Sequence, residues 1–145
     1  MIDRLSIEKN AKESIVERID ERKYLGLDIE NSERIELFMF AAAVGIHMGI
    51  KTPFNSKLGF VQASAVRPEQ MSAIYSLMVD EMRNANSEEK ISDRDVAFNI
   101  IQEYANTGLI EINKWMNDFP KDTDKLWELI DEMDDMFAEY FDGEE

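Results

Sequence analysis

Helical periodicity running through most of the chain predicts an all-α fold: a single-domain bundle of about five helices with one long irregular loop between helices two and three. Three observations carry that expectation. Apolar residues recur at three- and four-residue steps in successive stretches, which lays them along one stripe of a helix. Alternating apolar and polar residues, the mark of a half-buried strand, are nearly absent. The stretch Lys51 to Pro68, KTPFNSKLGFVQASAVRP, holds glycine and proline and keeps no helical period. A chain of 145 residues suits one domain, large enough to bury a core without a metal or disulfide staple. Residues 142–145 are expected to form a disordered acidic tail end.

In helix one, Ile7, Ala11, Ile15, Val16 and Ile19 share a stripe opposite a charged face, and the helix is expected to stop before Gly26. KYLGLDIEN then connects, and Asn31 or Ser32 is suited to cap helix two. That helix, within ELFMFAAAVGIHMGIKTP from Glu36 to Pro53, is apolar almost all round from Leu37 to Met48 and is expected to lie deep, with neighbours on several sides. Gly45 and Gly49 stand four apart on one face, where another backbone can approach closely. Within the irregular segment, Phe60 to Val66 reads as a short extended stretch; a loop of this length is either functional or a packed cover. Pro68 suits the first turn of helix three, whose apolar positions are Met71, Ile74, Tyr75, Leu77, Met78 and Met82. Ser92 and Asp95 form a capping-box pattern opening a long helix four, from Val96 through Tyr104 and Leu109 to Met116, which Gly108 interrupts without necessarily ending. Pro120 and a cap at Asp122 or Thr123 separate helix five, with a wide apolar stripe from Leu126 to Phe141.

Charge and composition exclude several functions. The net charge of −15 repels phosphate backbones, and no cluster of lysine and arginine interleaved with aromatics offsets it, so direct nucleic-acid binding is not expected. The acidity is concentrated: from Asp118 to Glu145 twelve acids stand against two bases. The absence of cysteine removes disulfides, thiolate metal sites and cysteine nucleophiles, and is compatible with a reducing cytosol. The chain opens without an apolar core of signal-peptide length, and its longest uncharged run, Leu37 to Ile50, is 14 residues, too short to cross a bilayer. A soluble cytoplasmic protein without membrane contact is expected.

Residues able to carry chemistry are few. His47 is the single histidine, so one chain cannot build a histidine pair or the HExxH zinc site; on the apolar helix two it reads first as a satisfied structural residue. Glu128, Asp131, Glu132 and Asp135 share one helical face that would attract a divalent cation, yet they lie opposite the apolar stripe and read as a solvated acidic face; no metal site and no cofactor are assigned. Phosphate-loop, dinucleotide and nucleophile-elbow motifs do not occur. A ligand pocket between helix two and the loop would draw on His47, Lys51, Arg67, Tyr75 and Tyr104, and a partner-binding face on Trp127, Asp131, Asp134, Asp135, Phe137 and Tyr140.

Three segments, Glu36 to Phe54, Ser72 to Met78 and Phe98 to Met116, together resemble the small uncharacterised proteins encoded beside bacterial DNA phosphorothioation genes, dnd system-associated protein 4. The features most specific to the resemblance are the small-residue block closing in Gly49 to Pro53 and the EYANTGL segment, Glu103 to Leu109. Members of that family typically carry a more basic pair after the glycine, where this chain keeps only Lys51, which weighs against a shared nucleic-acid contact. The resemblance implies a setting, DNA modification and phage defence, and no catalytic residues.

The leading reading is therefore a non-enzymatic accessory or adaptor protein acting through protein contacts, with a basic or DNA-modification protein as partner. Two alternatives stand beside it: an acidic DNA mimic that inhibits a nucleic-acid-binding protein, and a small-ligand pocket protein using His47. Nine methionines and the small-residue faces also permit a homodimer.

Overall fold

The computed structural model describes residues 2–24, 34–85, 93–122 and 124–132. Its architecture is mostly helical, with one small two-stranded antiparallel sheet, β1 (Arg4–Glu8) against β2 (Lys57–Gln62). The sheet corrects two expectations. Ile7 belongs to β1, not to helix one, and the segment after Lys51 supplies β2 and a 3₁₀ turn, Ala63–Ala65. The signal was RLSIE itself: Leu5 and Ile7 alternate with polar residues and are 0% and 1% exposed, a two-residue period too short to stand out beside the helical ones. The register skips Phe60, with Leu5 opposite Val61 and Ser6 opposite Gly59. This bulge turns two consecutive β2 side chains, Phe60 and Val61, into the core.

The middle of β1 and Ile2 ahead of it are tied to the long helix behind the strand. The buried Gln102 side chain accepts the Ser6 amide at 2.7 Å and Asp95 accepts the Ile2 amide at 3.0 Å, so side chains replace strand partners for these backbone groups. The Glu8 carboxylate receives the Asn55 and Ser56 amides at 3.0 and 2.9 Å, fixing the loop that leads into β2.

Lys9–Ala11, Lys12–Val16 and Glu17–Arg22 run on as helix α1, the middle five residues in a wider π turn. The helix ends at Lys23 in the left-handed region, φ 49°. Tyr24, 1% exposed, then donates to the Phe119 carbonyl at 3.0 Å, and Arg18 forks onto Asn113 and Asn117 at 2.7 and 3.1 Å. The expected caps at Asn31, Ser32 and Ser92 lie outside the described residues.

Helices α2 (Arg34–Met48) and α4 (Asp93–Asp118) form the centre; α3 (Pro68–Ala85) packs on α4 through Ile74 and Met78, both buried. Gly108 sits inside α4 without breaking it. A Cβ on Gly45 would stand 2.0 Å from the Tyr104 carbonyl oxygen, and one on Gly108 would stand 1.7 Å from that of Ala41. The two helices therefore touch backbone to backbone at reciprocal glycines. Gly49 has no atom near its missing Cβ; at φ +71° it ends α2, its amide reaching back to the Gly45 and Ile46 carbonyls. Its expected role in close approach is thus corrected to that of a helix stop.

The two stretches most specific to the family resemblance, Gly49 to Pro53 and Glu103 to Leu109, meet at this junction. Thr107 Oγ1 lies 2.7 Å from Thr52 Oγ1 and donates to the Ile50 carbonyl at 2.8 Å. Asn106 Nδ2 donates to the Thr52 carbonyl at 3.0 Å, and the Thr52 amide to that of Glu103 at 3.1 Å. Asn106 and Thr107 are 3% and 5% exposed, so these polar groups satisfy the irregular backbone that leaves α2.

Candidate functional site

The outer face of α2 is not covered as deeply as its composition suggested. Ile35, Leu37, Phe38, Ala41, Ala42 and Gly45 are buried, while Ala43, His47 and Met48 are exposed. His47 is thus a surface residue, not a structural core histidine. It lines a groove of about 540 Å³ between α2, α4 and the last described helix, α5 (124–132), with Phe40, Val44, Trp115, Leu129 and the carboxylates of Glu111, Glu128 and Glu132.

Pro120 ends the run of α4, and α5 docks back through a lysine. Lys125, 4% exposed, places Nζ 4.3 Å from the Trp115 ring centroid and 5.4 Å from that of Phe119, and pairs with Glu128 at 3.0 Å. Stacking on two aromatic faces and one carboxylate compensates the ammonium for lost water. Phe40 meets Trp115 edge to face at 6.4 Å, and Trp115 Nε1 donates to Glu111 at 3.1 Å. The groove floor is an aromatic layer with every polar edge satisfied.

With Lys125 inward, three residues of the expected apolar stripe point outward. Leu126, Trp127 and Ile130 are 42%, 67% and 44% exposed. Asp124, Asp131 and Glu132 are exposed beside them. Of the expected partner-binding residues, Trp127 and Asp131 therefore lie on this surface; Asp134, Asp135, Phe137 and Tyr140 fall outside the described residues, as does the tail end 142–145. No group of three or more histidine or acidic side chains among the described residues is arranged to hold a metal ion, and none of the described helices is long and apolar enough to cross a membrane.

The residues expected around a loop pocket are divided. Tyr104 and Lys51 converge on Glu81 of α3: the Tyr104 hydroxyl donates to one carboxylate oxygen and Lys51 Nζ lies 2.9 Å from the other. Burial, then the hydrogen bond to Glu81, pushes the Tyr104 phenol up to about 12. Burial alone would raise the Glu81 carboxyl, but the Tyr104 hydroxyl and the Lys51 ammonium outweigh it and hold it below its usual range. The hydrogen bond to Glu81 raises Lys51. Such shifts make Tyr104 a poor base and Glu81 a poor acid near neutrality, so the trio fastens α3 to α4 and to the loop. Tyr75 is half-buried against the core, and Arg67 pairs with Glu69 at 3.1 Å. His47 lines the separate groove behind α2.

Sequence reasoning missed Glu81 and Lys125. Lys125 lies on the side of α5 opposite its apolar stripe, and only a neighbouring aromatic pair makes an inward lysine favourable.

Comparison with known proteins adds one finding: the family model described as DNA sulphur modification system-associated protein 4 matches residues 9–142. No match is found among curated proteins or solved structures.

Proposed function

This chain belongs to the DNA sulphur modification system-associated protein 4 family, and from that premise we propose that it is a non-enzymatic accessory protein of such a system, acting as an adaptor through protein contacts. The observation that carries this reading is the α5 face. Three large apolar side chains, Leu126, Trp127 and Ile130, stand in water, and tryptophan is among the residues enriched at the energetic centres of protein interfaces. The partner is a protein surface with an apolar pocket ringed by lysine and arginine. Exposed carboxylates at Asp124 and Asp131 lie on the same helix, in the segment that carries twelve of the chain's acids, and such acidity steers a basic partner and repels another acidic one. The same repulsion disfavours a second copy of this chain as the occupant.

The test is affinity capture of the tagged full chain from a native host, compared with Trp127→Ala. Recovery of a DNA-modification protein by the parent and its loss from the variant supports the proposal. Equal recovery by both moves the contact elsewhere, and recovery of no such protein removes the adaptor reading. Competition with duplex DNA for a captured DNA-binding protein would instead favour the mimic, in which carboxylates stand where phosphates would.

A further inference from the structure

Away from α5, two arginines line one hollow at the sheet. Arg4 of β1 and Arg94 of α4 line a hollow of about 380 Å³ together with Asp3, Gln62, Ala63 and Ser64. Leu5 and Ile7 take the inward positions of β1, so Arg4 faces outward. Its stem lies across the ladder over Gly59, where an added Cβ would come within 2.8 Å of Arg4 Nε. Arg94 is held from behind: its guanidinium carbon lies 5.1 Å from the Phe98 ring centroid, and Nη2 donates to the Ile2 carbonyl at 2.6 Å. Its Nε is shielded from solvent yet has no acceptor among the described residues. Neither guanidinium forms an ion pair among those residues. In a chain with 31 acids and 16 bases, a hollow lined by two arginines and a single aspartate is a local reversal of the field.

We propose that this hollow binds a small tetrahedral oxyanion of the phosphate type, held between the Arg4 and Arg94 guanidiniums with the Ser64 hydroxyl as a further donor. Planar guanidinium forks match tetrahedral oxyanions through paired N–H donors. Asp3 reduces the local charge to one net positive among these lining residues, which suits one phosphate group. The overall charge of −15 repels a polyanion over its whole length, whereas a compact anion meets only the arginine pair. The ligand is therefore a free phosphate or the terminal phosphate of a mononucleotide-sized ester, and a duplex backbone is disfavoured. The site is independent of the adaptor reading, since it shares no residue with α5.

Isothermal titration of the full chain with inorganic phosphate and, separately, with adenosine monophosphate tests it at low ionic strength. Saturable binding of either at about 1 mM or tighter, weakened about tenfold or more by Arg4→Ala and unchanged by Lys114→Ala, is the expected result. Tighter binding of the nucleotide identifies an ester ligand, and equal binding identifies the free ion. Arg94→Lys keeps the charge and loses the fork, so it too should weaken binding while the melting temperature reports whether the Ile2 contact survives. Absence of saturable binding by both probes, or binding that Arg4→Ala leaves unchanged, overturns the proposal.

Discussion

At Gly45 and Gly108 the central helices meet with no side chain between them, and the sign of a substitution there separates packing from propensity. Alanine would gain up to about 1 kcal/mol of helix propensity over glycine in an open helix. Here its Cβ would enter a carbonyl oxygen at 2.0 or 1.7 Å, so Gly45→Ala and Gly108→Ala should each destabilise by about 3 kcal/mol or more in urea unfolding. Gly49→Ala meets open space but keeps φ +71°, and should cost only about 1 kcal/mol. The pair Gly45 and Gly49 was legible as a spacing; which of them met a backbone depended on where α2 stopped. Tyr104 gives a second residue-scale prediction. Its phenol is raised from an ordinary 10.0 to about 12, so the folded state holds the proton more tightly, and the stability it contributes is full below pH 10 and lost as pH rises through 12. Lys51, also raised, adds in the same direction. Glu81, depressed, contributes stability above its unfolded value that is lost in acid as pH falls through its folded value. The fall in melting temperature above pH 10 should therefore be shallower in Tyr104→Phe than in the parent; equal slopes would show that the Tyr104 contact does not shape the alkaline limb.

Helix positions were largely readable because five apolar stripes keep their period over several turns, and α2, α3 and α4 lie where those stripes put them. The sheet was not, because β1 has five residues and its partner shows two adjacent buried side chains at a bulge, which erases the alternation. The orientation of α5 also escaped, since periodicity identifies a stripe without saying whether another helix or a partner covers it. Lys125 decides that orientation here. Lys125→Met keeps the stem over Trp115 and removes a buried charge, and should change stability by less than about 1 kcal/mol. Lys125→Glu places a carboxylate against the Trp115 and Phe119 faces and should release α5, read as a loss of helix signal and a red-shifted Trp115 emission. Unchanged spectra in Lys125→Glu would show that α5 is held by other contacts.

Across the whole molecule, the residues that carry the family resemblance turn out to join α2, the loop after it and α4 into one core, which explains why they identify a family without identifying a reaction. The surfaces proposed for function, the α5 face around Trp127 and the arginine hollow at the sheet, share no residue with that junction. The first is legible in the sequence as a partner-binding face that includes Trp127 and Asp131; the second is not, because positions 4 and 94 meet only in the fold. The adaptor reading makes its sharpest claim at Trp127, 67% exposed against 8% for Trp115. In Trp115→Phe the remaining indole reports on the α5 face alone. Titrating this variant with a purified basic protein of the DNA-modification system should shift the Trp127 emission to the blue as the indole leaves water, with a midpoint that weakens as salt is raised. A complex that forms while Trp127 keeps the spectrum of a solvated indole would contradict the account.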